Sequence, residues 1–286
     1  MDSINNRALL ALQRGSFLEA QELLKKNIKI NPSHMTYNNL GYFYCDLGMN
    51  TKNGRVIRAD KIGMRYLMKA YQLDKSYKNC MAIGLMLRYD HDYEKMKKMF
   101  ENALEIKKNY AVYYNLGSVC VALKKYDNAA SYFHKAIQFS YNDNDLYAST
   151  LAYVHIMCLM KSKVDERYFR NLLYDGDEKR IGDEIAAYFF NGDYEKINAI
   201  DIETVLEDYP DIQINAMIIE AYDIVSNKNG LLNFLRVIEK YYDGDSLVAL
   251  KSIIDDRLQR IRLINQYNYR FGIEDRVCCY IECPIH

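Results

Sequence analysis

The chain repeats itself at a step of 33 residues, and that step limits its fold more than any other feature. Residues 80–104 read "CMAIGLMLRYDHDYEKMKKMFENAL" and residues 113–137 read "YYNLGSVCVALKKYDNAASYFHKAI". Gly84 and Gly117, Tyr93 and Tyr126, Phe100 and Phe133, and Ala103 and Ala136 all stand one step apart. A fixed period of this size marks a repeat architecture. Each unit carries two apolar helical stripes joined by a short turn. The first helix keeps a small residue where its neighbour crosses: Ala8, Gly41, Gly84, Gly117. An aromatic follows the turn: Phe17, Tyr93, Tyr126. The second helix sets a large apolar residue three before a small one, as in Leu67 with Ala70, Phe100 with Ala103, and Phe133 with Ala136. That spacing puts both on one helix face, a knob beside a hole. The expected fold is all-α, a right-handed α-solenoid of stacked antiparallel helix hairpins, none stable alone. Bulk at Gly117 or Ala136 is expected to damage the stack, with alanine tolerated at Gly117.

The segments "NLGYFY", "NLGSVC", "GSFLEA", "YDNAASYFHKAI" and "INPS" resemble the tetratricopeptide repeat over residues 1–143, with units beginning near Met1, His34, Tyr77 and Tyr110. The step from Gly41 to Gly84 is 43 residues, so ten extra residues lie near 48–60, in "GMNTKNGRVIRAD". An insertion at that hairpin is also similar to the Sel1-like repeat. Beyond 143 the match fades, and residues 144–265 read as degenerate helical repeats continuing the same superhelix. They include helices over 211–227, 229–242 and 246–265, the last with a stripe of Ile253, Ile254, Leu258, Ile261 and Ile264. Residues 266–286 form a cysteine-containing tail, expected to pack on the last helices.

Bulk composition narrows the function classes. Lys plus Arg equals Asp plus Glu at 38 each, which disfavours the basic surface of a nucleic-acid or membrane binder. The start, "MDSINNRALLALQRG", lacks the pattern of a signal peptide, no apolar run approaches a membrane span, and seven cysteines lie mostly scattered. The expected location is the cytoplasm.

In units of this kind the first helices line a concave face. Asn6, Asn39 and Asn115 occupy equivalent positions there, and a carboxamide offers both a donor and an acceptor to an extended peptide's main chain. The resemblance supports this use of asparagine, although Ala82 breaks the row. The expected lining adds Asn38, Tyr42, Asp46, Met81, Leu85, Arg88, Tyr89, Tyr114 and Ser118. With Arg88 the lone cation, the family's two-carboxylate clamp for acidic peptide ends is disfavoured. The insertion supplies Lys52, Arg55, Arg58, Lys61 and Arg65, either a basic finger or a solvated face.

The tail "RVCCYIECPIH" offers Cys279, Cys283 and His286 as soft zinc ligands, with Cys278 as a fourth. Adjacent cysteines fit one tetrahedral site poorly, so no metal and no cofactor are expected. Two "YDGD" copies, at 174–177 and 242–245, lack the ligands of a calcium loop. They read as a glycine ending one helix and an aspartate capping the next. None of the five histidines stands in a catalytic motif. The leading expectation is a non-enzymatic adaptor or regulator that binds a protein or peptide segment in its groove. Peptide-sensing transcription factors of this family carry a DNA-binding domain before the repeats, and repeats here begin at residue 1. The alternatives are an enzyme subunit or cryptic enzyme acting through the C-terminal half or the cysteines, and a scaffold that homo-oligomerises.

Overall fold

The computed structural model describes all residues except 1–2, 48–49, 53–54, 58–59, 166, 169–180, 209–210, 268–270, 273–276 and 284–286. The chain divides into two compact units, Met1–Ser140 with Gly272–His286, and Tyr141–Phe271. The tail thus belongs with the first unit rather than with the last helices.

The first unit is four helix hairpins: α1 (Ile4–Gln13) with α2 (Phe17–Ile30), α3 (His34–Leu47) with α4 (Asp60–Leu73), α5 (Tyr77–Met86) with α6 (Tyr93–Ile106), and α7 (Tyr110–Ala122) with α8 (Tyr126–Gln138). Each first helix starts on a polar cap that satisfies amides its own ladder leaves open. Ser3, Ser76 and Asn109 accept from the amides of Asn6, Asn79 and Val112. Ser33 and Thr36 bond reciprocally at the start of α3, as a capping box does.

The glycines pack as the repeat pattern predicts. A Cβ on Gly84 would lie 2.5 Å from the Phe100 ring, and one on Gly117 would lie 2.6 Å from the Phe133 ring. Phe100, Ala103, Phe133 and Ala136 are fully buried. The α3–α4 pair crosses more closely still, because Gly63 faces Gly41: a Cβ on Gly63 would meet the Gly41 carbonyl oxygen at 2.7 Å. The inserted residues add the strands β1 (Asn50–Lys52) and β2 (Arg55–Ile57), a short antiparallel pair in an otherwise all-α fold.

The second unit contains α9 (Asp143–Leu159), α10 (Ile181–Asn191), α11 (Tyr194–Asn198), α12 (Ile202–Asp208), α13 (Ile212–Ile224), α14 (Lys228–Tyr241), α15 (Gly244–Asp255) and α16 (Arg257–Gln266). Its turns match those of the first unit although its sequence does not. Gly15, Lys124, Lys161, Gly192 and Ser226 all take left-handed backbone angles at the end of a helix. The residue after each donates its amide to the carbonyl five residues back, at 2.8–2.9 Å. This is the bond pattern that closes a helix and reverses the chain.

The stretch 246–265 is two helices, not one. The backbone leaves the helix at Asp256, whose carboxylate then caps α16 by accepting from the Gln259 amide at 3.0 Å. Leu258 of the expected apolar stripe is consequently 74% exposed. The "YDGD" copy at 242–245 puts Asp243 at the start of α15 without a side-chain cap bond, and Gly244 has a φ of 50°. The copy at 174–177 lies outside the described residues.

Candidate functional site

The first helices of the first three hairpins bring four asparagines together, and the bonds among them run in one direction. Asn79 of α5 donates to Asn38 Oδ1 (3.0 Å), Asn38 donates to Asn39 Oδ1 (3.2 Å), and Asn39 donates to Asn5 Oδ1 (2.8 Å). All four are buried. An amide NH2 has two donors, and Asn38 and Asn39 use the second on a separate stretch of chain. Asn38 Nδ2 donates to the Cys279 carbonyl at 2.8 Å, and Asn39 Nδ2 donates to the Ile281 carbonyl at 2.9 Å. Asn39 Oδ1 also accepts from the Ile281 amide at 2.7 Å, so a single carboxamide grips both polar groups of one residue.

Tail residues 277–281 therefore lie along the face of α1, α3 and α5. Tyr42 OH donates to the Val277 carbonyl (3.5 Å), Asn5 Nδ2 to the Ile281 carbonyl (3.4 Å) and Lys78 Nζ to the Tyr280 carbonyl (2.5 Å). The carbonyls of 277, 279 and 281 are held by α1 and α3, and that of 280 by α5. Carbonyls that alternate between two sides are those of an extended chain. Cys279 is wholly enclosed, and the Tyr280 ring meets Tyr42 edge-on at 4.9 Å. Tyr280 also packs on the core that contains Ala8, Leu40 and Phe43.

Apart from Lys78 and the neighbouring Asp46, the groups that meet the segment are neutral. Burial pushes the Cys279 thiol, the Tyr42 phenol and the Tyr280 phenol well above their ordinary ranges, reinforced at Tyr42 and Tyr280 by neighbouring Asp46. Cys278 is raised by burial too. A thiol held protonated is a poor nucleophile and a poor metal ligand. Cys279 instead donates to the Val277 carbonyl at 3.5 Å. Among the described residues no three His, Cys, Asp or Glu side chains gather to hold a metal ion. His286 lies outside the described residues, and Cys283 is half-buried.

The other expected residues are distributed as follows. Asn6 is half-exposed, and its amide caps on Ser3; its neighbour Asn5 carries the side-chain contacts. The bond from Asn39 reaches Asn5, 34 residues earlier, rather than the repeat-equivalent Asn6. Asn79 supplies the third hairpin's amide one turn before Ala82, where sequence reasoning found the row broken. The Ser76 cap of α5 fixes the placement of Asn79. Met81 and Leu85 are fully buried, and Asp46 is exposed at the end of α3.

On α7, Tyr114, Asn115 and Ser118 are buried within the helix stack, with the Tyr114 ring 5.5 Å from Phe133 of its own hairpin. Arg88 donates to Tyr89 OH at 2.9 Å, and Tyr89 is 48% exposed. Lys61 and Arg65 are exposed on α4, where with Lys69, Met64, Met68 and Tyr89 they line a separate cleft of about 560 Å³. Lys52 and Arg55 lie on β1 and β2, and Arg58 is outside the described residues.

Residues 110–143 match the tetratricopeptide repeat family. No curated protein sequence matches the chain. A tetratricopeptide repeat protein from Parabacteroides merdae has a similar structure, with a TM-score of 0.55 at 16% identity, over 88% of this chain and 96% of that one. PilF of Pseudomonas aeruginosa is similar at a TM-score of 0.51 and 15% identity, over 87% of this chain and 95% of that one. At such identities the likeness concerns the fold. No helix among the described residues is long and apolar enough to cross a membrane.

Proposed function

We propose, taking as premise that this chain has the tetratricopeptide-repeat fold, that it is a non-enzymatic adaptor holding an extended peptide segment of a partner protein against α1, α3 and α5. Proteins of this fold generally serve as scaffolds for protein–protein contacts. The observation that supports the reading is the asparagine clamp: Asn38 and Asn39 bond the main chain of residues 279 and 281, with no part of a side chain read. Any extended segment presents the same carbonyls and amides at the same spacing. The enclosed place of Cys279 and the Tyr42 ring then admit a small side chain followed by an aromatic one.

The test uses several extended peptides of unrelated sequence, titrated by fluorescence polarisation against the full-length chain carrying Ile281→Pro. Proline removes the amide that Asn39 accepts from and loosens the resident segment. Adding Asn38→Ala and Asn39→Ala should weaken all the peptides alike, by about tenfold or more, because each lost bond leaves a desolvated partner worth ~1–3 kcal/mol. Equal affinity with and without the asparagines sinks the reading.

A further inference from the structure

We infer that residues 277–283 are a tethered occupant of the asparagine cleft, a resident competitor that a partner's peptide must displace; this rests on the groove reading above. The first support is the kind of contact. Three alternate carbonyls and one amide of the segment face Tyr42, Asn38, Asn39 and Asn5, and these are groups every extended chain possesses. The segment is held as a ligand is held, mainly by its main chain.

The second support is topology. The bonded partners are 202 to 276 residues apart in sequence. Between them lies the whole of Tyr141–Phe271, a compact unit of its own. The hairpins of the first unit interlock through Gly84 with Phe100 and Gly117 with Phe133, contacts in which the segment has no part. It can leave without opening those contacts, and the packing it gives up is that of the Tyr280 ring on the core of Ala8, Leu40 and Phe43.

The third support is what departure exposes. Asn5, Asn38, Asn39 and Asn79 are neutral amides already bonded to one another, and water replaces the main-chain partners they lose. Lys78 loses the Tyr280 carbonyl, but its ammonium is only half-buried and takes up water in its place. The open cleft is therefore an accessible state, and its natural entrant is an uncharged extended stretch with a small residue, an aromatic and an aliphatic in succession. Cys279, Tyr280 and Ile281 set that pattern, with the small side chain enclosed and the aromatic against Tyr42.

The strength of competition follows from tethering. A segment in the same chain as its site competes at an effective concentration, taken as about 1 mM. If the resident segment's own dissociation constant for the open cleft is about 10 µM, a free peptide then appears about 100-fold weaker in the native chain.

The experiment titrates a labelled peptide of residues 276–283, kept reduced, into three full-length forms: native, Ile281→Pro, and Ile281→Pro with Asn38→Ala and Asn39→Ala. A chain ending at Phe271 serves as a second release variant, with circular dichroism to verify retained helix. The expected result is peptide binding about 10- to 100-fold tighter in both release variants than in the native chain, and loss of that gain when the asparagines are removed. Equal binding by the native and released forms overturns the competitor while leaving the groove reading intact. Helical release variants that bind no peptide overturn both. Sedimentation showing a native dimer that the peptide dissociates also overturns the resident competitor, because the segment then comes from a second copy.

Discussion

The two units bury polar groups in opposite ways. The first gathers neutral amides, Asn5, Asn38, Asn39 and Asn79, along one face. The second buries charge: Glu220 and Arg260 are each 2% exposed. Arg260 donates Nε to Glu220 Oε2 at 3.1 Å, Nη1 to the Ile253 carbonyl at 3.0 Å, and Nη2 to Asp223. Arg257 donates Nε and Nη2 to Glu220 Oε1 at 2.9 and 2.7 Å. The difference separates a surface built to exchange its partner from one built to stay shut. An amide that loses a partner takes up water at little cost, whereas a buried ion that loses its partner is left uncompensated.

The largest effect should come from opening the charge network. Arg260→Met strands Glu220 Oε2 and leaves Arg257, on Oε1, as the carboxylate's remaining cationic partner, so the loss should fall at or below the ~3–5 kcal/mol of a broken buried pair. Urea denaturation monitored by circular dichroism should show the loss. Glu220→Gln added to Arg260→Met should recover part of it, because the stranded charge is gone. If Arg260→Met is as stable as the native chain, the second unit's polar core does not differ from the first in the way described.

Packing between paired helices in the first unit should rank next. Gly117→Leu drives bulk into the Phe133 ring, and overpacking costs ~1–3 kcal/mol. Alanine is also disfavoured there, contrary to its helix propensity. Its Cβ would lie 2.6–2.9 Å from three ring atoms of a fully buried phenylalanine. Phe133→Leu should therefore relieve Gly117→Ala in thermal melts. A Gly117→Ala chain more stable than the native one would show that the ring yields easily.

The glycine–phenylalanine pairs were legible in the sequence because local packing repeats with the step. The reversed turn at Ser226 was legible only as the boundary between the helices expected over 211–227 and 229–242. The occupant of the asparagine face was not legible. Periodicity reports neighbours about one repeat away, and the Asn39–Ile281 pair spans 242 residues. Asn5 was missed in favour of Asn6 because the step of 33 marks equivalent positions, whereas Asn39 bonds the neighbour of its equivalent. The Arg260 network was hidden by the apolar stripe of 246–265, which concealed the break at Asp256.

A third, smaller effect tests the amide face itself. Asn39→Ala leaves the Ile281 amide and Asn5 Oδ1 without their partner while the segment is docked. Asn39 is fully buried. The loss should be ~1–3 kcal/mol while the segment stays docked, limited by release of the segment into water. Hydrogen exchange at the Ile281 amide should accelerate about tenfold or more, with the amides of α7 and α8 unchanged. Equal acceleration throughout α7 and α8 would make Asn39 a structural residue of the whole stack.

The smallest effect is a pH dependence in the second unit, where two titrating groups oppose each other. Burial pushes Glu184 up to about 7, with Asp183 adding to the rise and the Tyr147 hydroxyl, which donates to Glu184 at 2.8 Å, resisting it. Burial holds His155 down to about 4, although its Nε2 donates to the Asp183 carbonyl at 3.1 Å. For Glu184 the folded state keeps a proton that the unfolded chain releases above 4.5, so its contribution to stability is lost as pH rises toward 7. For His155 the unfolded chain gains a proton below 6.5 that the folded state refuses, so its contribution is lost as pH falls toward 4. Between 4.5 and 6.5 the two slopes have opposite signs. Glu184→Gln removes one and should steepen the rise of stability with pH across that window. The change should be about 1 kcal/mol, discounted because the side chain is only half-buried. Urea midpoints at intervals from pH 4.5 to 7.5 read it directly, and superimposable profiles for Glu184→Gln and the native chain would remove Glu184 from the balance. The four asparagines of the first unit do not titrate, so Asn39→Ala should leave the shape of the profile unchanged.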